Sequence, residues 1–278
     1  MTRRLIASLI LTLAAMVVAG AGCGPAQPAS PALPVLTAEQ AVLLGRAAVA
    51  VFEKEVGPPV ADLAVQSYVR TIGERLARST QDPSLPYQFI VLDSSAVNAY
   101  ALPAGPVLVT RGLIARLETE GQLAAALAHQ LAHVNAGHVN RELIDRLGLP
   151  LLREAVAAIQ AKEAGQPVLP RAAEALARTL GALGVLQFSP AAESEADRLG
   201  LDTLVAAGYN PGQAVAFLQH MTPARGPATE FSRTHPSAAG RDEALADLAA
   251  GKYPDTGGRV ARGEYRREVL ERLTTGPR

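Results

Sequence analysis

The stretch Leu127-Ala128-His129-Gln130-Leu131-Ala132-His133 decides how this chain is read. It lies in an Ala/Leu-rich run that predicts a buried helix. His129 and His133 are four residues apart, so both imidazoles leave one face of that helix, about one turn from each other. A helix uses this spacing to offer two nitrogen ligands to one metal ion. The pattern expected around such a pair is His-Glu-x-x-His, in which the Glu is the general base of metal-dependent peptide hydrolysis. Gln130 stands in the Glu position. The ligand half of the pattern is intact and the proton-transfer half is altered.

Two histidines leave a zinc site short of a third protein ligand. Glu193 and Asp197 are four apart in a later helical stretch and share a face. Glu193 is assigned as the ligand. Asp197, one turn on, is assigned as the carboxylate that accepts the far N–H of a ligand histidine and fixes its tautomer. Glu195 is the alternative ligand, but on a helix it points about 160° away from Glu193.

Outward from these residues the chain alternates helical patterns with one short extended region. Thr37 with Gln40 is a capping-box signature and opens a helix over Ala38 to Glu55. A second helix carries the stripe Val65, Tyr68, Val69, Ile72 and Leu76. Gln88–Leu92, Asn98–Leu102 and Val107–Val109 read as strands, with a turn at Ala104-Gly105. Thr119 with Gln122 repeats the capping-box pattern and starts the histidine helix, which is expected to run to about Asp145. Pro150 to Gln187 reads as a helical hairpin inserted between the two halves of the site, with packing or a lid over the cleft as its role. Ser189-Pro190 opens the helix of Glu193 and Asp197, expected to end at Gly208. Asn210-Pro211 opens a short further helix. Phe231 to Pro236 reads as a loop, and helical stretches near Ala238–Ala250 and Gly263–Leu273 close the chain. The fold class is α+β, mostly α, with a small sheet.

Composition narrows the classes further. The hydrophobic share is 49% and aromatics are 4% with no Trp, so the core is built from Ala, Leu and Val. Formal charge is zero and there is no large basic block, so nothing points to nucleic acid and none is expected as a partner. Arg3 and Arg4 precede an apolar run, Leu5 to Ala19, too short to span a membrane comfortably. Small residues and then Cys23 follow, a pattern similar to a bacterial lipoprotein signal. Residues 1–22 are therefore read as a signal peptide, Cys23 as a lipidated N-terminus, and residues 23–36 as a flexible tether. Residues 37–278 form the domain. Cys23 is the one cysteine, so no internal disulfide forms.

Four stretches together carry a resemblance to a family. They are Asn98-Ala99-Tyr100-Ala101-Leu102-Pro103 with Val109 to Leu113, the helix through His129 and His133, Glu193 to Gly200, and Ser232-Arg233-Thr234-His235-Pro236. In this order they resemble the zinc metallopeptidases related to the CAAX prenyl protease, in a soluble periplasmic lipoprotein form. The membrane helices and tandem helical repeats of some members are not expected within these residues. The resemblance implies a zincin fold of the gluzincin type, with Zn2+ on His129, His133 and Glu193. It places His235 near the metal, as a fourth ligand or as a donor to a developing oxyanion. It makes Asn98, Ala99, Tyr100 and Ala101 the edge on which an extended peptide docks as an added strand. The expected partners are unfolded or extended polypeptides, the membrane through the lipid anchor, and the envelope assembly machinery. The expected location is the periplasm, at the inner face of the outer membrane. His138 and His220 match no position of the pattern and are read as surface residues. Because an amide accepts no proton, Gln130 predicts weak turnover or a pseudoprotease that binds peptides without cutting them.

Overall fold

A computed structural model describes residues 36–221, 229–236, 240–254 and 257–275. The leader, Cys23 and the tether through Val35 lie outside these residues. No helix among the described residues is long and apolar enough to cross a membrane.

Helix α1 (Ala38–Glu55) begins at a closed capping box. Gln40 N donates to Thr37 Oγ1 at 3.2 Å, and Thr37 N donates to Gln40 Oε1 at 3.0 Å. Two N–H groups that the helix itself leaves unpaired are thus satisfied. Helix α2 (Leu63–Ala77) starts at Asp62, whose carboxylate accepts from the N–H groups of Ala64 and Val65. It buries Val65, Val69, Ile72 and Leu76, the predicted stripe, with Tyr68 half-buried.

Strands β1 (Gln88–Leu92), β2 (Ala99–Ala101) and β3 (Pro106–Thr110) form one sheet in the order β1-β3-β2. β3 runs parallel to β1 and antiparallel to β2. β2 is one residue shorter at each end than the sequence predicts. All five residues of β3 are buried. Val107 and Val109 join the core of α2, while Leu108 joins the core of α1 with Leu44 and Phe52. The period-two alternation of a strand thus serves both faces of the sheet. The outer edge of β1 is closed: Gln66 Oε1 accepts from Val91 N at 3.0 Å, and Val91 O accepts from Gln66 Nε2 at 2.7 Å and Val60 N at 2.9 Å. Among the described residues β2 pairs only with β3 and leaves its other edge open.

Helix α3 (Arg111–Arg116) leads into α4 (Glu120–Asn135), which is buried on every side from Glu120 to Val134. A helix apolar all round belongs in a core, and its many alanines let neighbours approach closely. Only half of its predicted capping box forms. Thr119 Oγ1 accepts from Gln122 N at 3.1 Å, but Gln122 Oε1 accepts from Glu118 N rather than Thr119 N. The helix also ends ten residues before the predicted Asp145. The chain turns at Ala136 and Gly137, the latter at φ +69°, and α5 (His138–Leu147) sets off in a new direction. That φ favours glycine, and this turn decides where His138 points.

The hairpin is present as α6 (Leu149–Glu163) and α7 (Pro170–Leu183), packed on each other and on α1. Helix α8 (Pro190–Ala206) starts at Ser189, whose Oγ accepts from Ala192 N, and stops two residues short of Gly208. α9 (Gly212–Met221) follows. The stretch read as a loop is instead a short helix, α10 (Glu230–Thr234), capped by Thr229. Its cap hydroxyl accepts from Ser232 N at 3.1 Å. α11 (Arg241–Lys252) comes next; the predicted start at Ala238 lies outside the described residues. The last helix, α12 (Arg262–Tyr265), continues through a π-helical stretch, Arg266–Leu270, to Glu271–Thr275.

Candidate metal centre

α4 and α8 lie side by side, and the contact is closest at the site. A Cβ on Gly200 of α8 would stand 3.1 Å from the backbone N of His129. Glycine therefore sets how near the carboxylates of α8 come to the histidines of α4. His129 Nε2 and His133 Nε2 are 3.1 Å apart. The Glu193 oxygens stand 3.4 Å from each of them, Oε2 from His129 and Oε1 from His133. Ligand atoms of His129, His133, Glu193 and His235 all lie within 4.8 Å of one another. None of the four is more than 3% exposed.

These residues fit a zinc ion. At the ~2.0–2.1 Å bond lengths of zinc to nitrogen and oxygen, tetrahedral ligands lie about 3.3 Å apart. The three closest donor separations, 3.1, 3.4 and 3.4 Å, match that spacing. Both Glu193 oxygens are buried without a hydrogen-bond partner. Lone pairs gathered in this way, away from water, call for a cation.

Asp197 Oδ1 lies 3.1 Å from His129 Nδ1, off the line of a good hydrogen bond. Arg241 at the start of α11 is buried here and was missed by sequence reasoning. Its Nε and Nη2 reach the two oxygens of Asp197, and its Nη1 reaches Glu193 Oε2 at 2.7 Å. A lone Arg at a helix start reads as solvated, so the sequence carries no signal for it.

Glu195, the alternative ligand, lies outside the donor cluster. It sits 48% exposed on the other side of α8 and meets His138. His138, read as a surface residue, is buried, and its Nδ1 stands 3.0 Å from His133 Nδ1. The turn at Gly137 brings it there. His220 is half-buried and faces Glu118 at 3.5 Å, away from the site.

His235 directly follows α10. Gln130 Nε2 lies 3.1 Å from His235 Nε2; an amide nitrogen only donates, so the ring nitrogen accepts. His235 Nδ1 meets Thr234 Oγ1 at 2.9 Å, and that hydroxyl reaches Asn98 Oδ1 at 3.2 Å. Asn98 is buried and ties the His235 turn to the start of β2. Ala99, Tyr100 and Ala101 form β2 itself and line a small cavity with Leu183, Leu186, Phe188 and His235. The end of the hairpin thus lies against the predicted docking edge. Phe188 stacks on the His133 ring with centroids 3.9 Å apart, and Phe231 stacks on His235 at 4.3 Å.

The electrostatics follow from burial set against partners. Burial raises the Glu193 carboxyl, but His235 and the His129 and His133 imidazoles beside it outweigh that and hold it well below the usual range. Burial also opposes ionisation of Asp197, and Arg241 outweighs it. Burial pushes the His133 imidazole far down and His235 down to about 4. His129 faces the same penalty, but Asp197 and Glu193 reverse it and raise it. His138 is lowered by burial against the opposing pull of Glu195.

Comparison with known proteins agrees with this geometry. Over 172 residues the chain is 28% identical to the beta-barrel assembly-enhancing protease of Escherichia coli (strain K12), covering 59% of this chain and 34% of that protein. It is 30% identical over 164 residues to the mitochondrial metalloendopeptidase OMA1 of Arabidopsis thaliana, covering 58% and 31%. It is 29% identical over 163 residues to the metalloprotease LoiP of Escherichia coli (strain K12), covering 58% and 62%. The chain thus spans about a third of the length of the assembly-enhancing proteases it matches. The pattern of peptidase family M48 matches residues 64–249, from α2 through the histidines and α8 to α11, and the chain belongs to that family.

Proposed function

We propose that this chain is a zinc-binding M48 protein of the cell envelope that engages unfolded or misassembled polypeptides and hydrolyses them weakly. The observation that carries the reading is the donor set His129, His133 and Glu193, built at zinc spacing around a buried Gln130. His235 Nε2 becomes a fourth donor only where it gives up the Gln130 amide. Bound there, a zinc ion supplies Lewis acidity, polarising a peptide carbonyl and raising the acidity of water. The chain's own residues do the rest. Asp197 and Arg241 orient His129 and Glu193, and burial keeps His133 and His235 neutral. The open edge of β2 offers backbone groups to an extended peptide, while the edge of β1 is already closed. Such a peptide needs Leu183 to Phe188 to withdraw, because that segment lies against β2 and the site, which makes the hairpin a lid.

Gln130 favours the second reading, a pseudoprotease that binds without cutting. Its amide donates to His235 and takes no proton from water. General acid–base catalysis contributes typically ~10²–10⁴-fold, so its loss slows hydrolysis by that order. The lipid anchor at Cys23, the periplasmic location and contact with the envelope assembly machinery belong to the same proposal and rest on the leader pattern of the sequence.

The test is casein hydrolysis by the full zinc-loaded chain beside its Gln130→Glu variant. The variant is expected to cut in a chelator-sensitive way while the parent cuts at least ~10²-fold more slowly. Equal rates would show that another residue supplies the base.

A further inference from the structure

The two ligand histidines of α4 are supported differently. His129 Nδ1 faces a carboxylate, Asp197. His133 Nδ1 faces another imidazole, that of His138, at 3.0 Å, and His138 Nε2 continues to Glu195 Oε2 at 3.3 Å. Given the zinc-binding reading above, on which this inference rests, we infer that His138 is the positioning residue for His133, the middle of a relay Glu195–His138–His133 ending at the metal position.

Proton accounting along the relay closes without remainder. His133 Nε2 points at Glu193 and His129, so a neutral His133 that offers this nitrogen to a metal carries its proton on Nδ1. Among the described residues the acceptor that N–H meets is His138 Nδ1. His138 must then carry its own proton on Nε2, and Glu195 Oε2 is there to accept it. Each imidazole holds one proton and each buried N–H has an acceptor. In the other tautomer of His138, two N–H groups would face each other at 3.0 Å. Glu195 therefore selects the tautomer of His138, and His138 selects that of His133. Far partners of this kind fix ring orientation and raise ligand basicity.

The device depends on the break after α4. In an unbroken helix, residue 138 would project about 140° round the axis from residue 133. The turn at Gly137, where no atom lies within 4 Å of a would-be Cβ, folds His138 back beneath the His133 ring instead.

The experiment has two arms. In the first, zinc affinity is measured by chelator competition for the parent, His138→Phe and His138→Asn, with melting of each metal-free protein followed in parallel. Phe keeps a ring against His133 and Phe188 but accepts nothing. Asn keeps an acceptor oxygen in the place of Nδ1. Phe is expected to weaken zinc binding ~10–100-fold, and Asn to recover most of that loss. In the second arm, long-range 1H–15N correlation spectra of the zinc-loaded parent are expected to show His133 protonated on Nδ1 and His138 on Nε2. This readout needs no variant to fold. Equal zinc affinity in parent and Phe variant, or a His138 protonated on Nδ1, overturns the relay while leaving the zinc reading intact. A parent that binds no zinc overturns both.

Discussion

Arg241 grips Asp197 with two parallel hydrogen bonds, Nε to Oδ2 at 2.5 Å and Nη2 to Oδ1 at 2.8 Å. The remaining nitrogen reaches Glu193, so one guanidinium fixes both Asp197 and Glu193 of α8 from a different helix. Fork geometry is specific to arginine, whose planar group meets two oxygens at once. Arg241→Ala leaves two buried carboxylates facing each other's charge. Removing one partner of a buried pair costs ~3–5 kcal/mol, and this loss is expected in the urea unfolding midpoint of the metal-free protein. Arg241→Lys keeps the charge but not the fork, and is expected to recover only part of the loss. An unchanged midpoint for Arg241→Ala would remove the arginine from this account.

Gly200 sets the separation of α4 and α8 at His129. The Cβ of Gly200→Ala would press on the His129 N and Cα at 3.1 and 3.2 Å, backbone atoms that cannot swing aside. The variant is expected to melt lower and to bind zinc more weakly, because Glu193 and Asp197 move with α8. Gly251 in α11 is the control, since nothing lies within 4 Å of its would-be Cβ. There the same substitution is expected to stabilise by ~0.5–1 kcal/mol through helix propensity. Opposite signs in a thermal melt check the argument; a loss at both positions would trace it to glycine itself.

Most of this site was legible in the sequence because helical spacing alone puts His129 with His133 and Glu193 with Asp197 on shared faces. β1 and β3 were legible from their Val and Ile content, β2 from the turn at Ala104-Gly105 that follows it, and the hairpin from Gly165, Gln166 and Pro167. What the sequence hid depends on how elements meet. His138 reads as a surface residue as long as α4 is taken to run on, because only the conformation at Gly137 reverses its direction. Arg241 is six residues beyond His235, with no periodicity linking it to α8. Phe231 to Pro236 reads as a loop, since the five residues of α10, Glu230–Thr234, are too few to show a helical period.

Glu120, at the start of α4, gives a pH dependence remote from the histidines. Its buried carboxylate accepts from Tyr68, Tyr209 and Arg259, and Arg259 also pairs with Glu264. Burial is the largest influence and raises its pKa, but the hydrogen bonds from Arg259 and the two tyrosines together outweigh it and hold the pKa below the ordinary value. A depressed folded-state pKa means that the unfolded chain binds the proton first. The stabilisation is therefore fully present above the ordinary glutamate value of ~4.3 and is lost as pH falls through the lower folded value. Glu120→Gln is expected to unfold at lower urea than the parent at pH 7, with the gap closing as pH falls below ~4.3. Measuring the gap between the two proteins cancels the titration of every other group. A gap that is constant with pH would mean that the carboxylate contributes by shape alone.

Metal binding is expected to couple directly to stability. Glu193 is buried with neither oxygen hydrogen-bonded, next to two imidazole nitrogens 3.1 Å apart. Without a metal, Arg241 is the fixed positive charge beside that cluster. A metal that binds the folded chain and not the unfolded one stabilises it by ~2.7 kcal/mol at a free concentration 100 times Kd. The melting temperature is therefore expected to rise with added zinc and to fall back with chelator. Glu193→Gln removes the anionic ligand and keeps the shape, and its melting temperature is expected to respond little to either addition. Gln130→Glu alters no ligand, so it is expected to keep the zinc response of the parent. A strong response in Glu193→Gln would move the metal away from α8, whereas loss of the response in Gln130→Glu would make residue 130 itself part of the binding set.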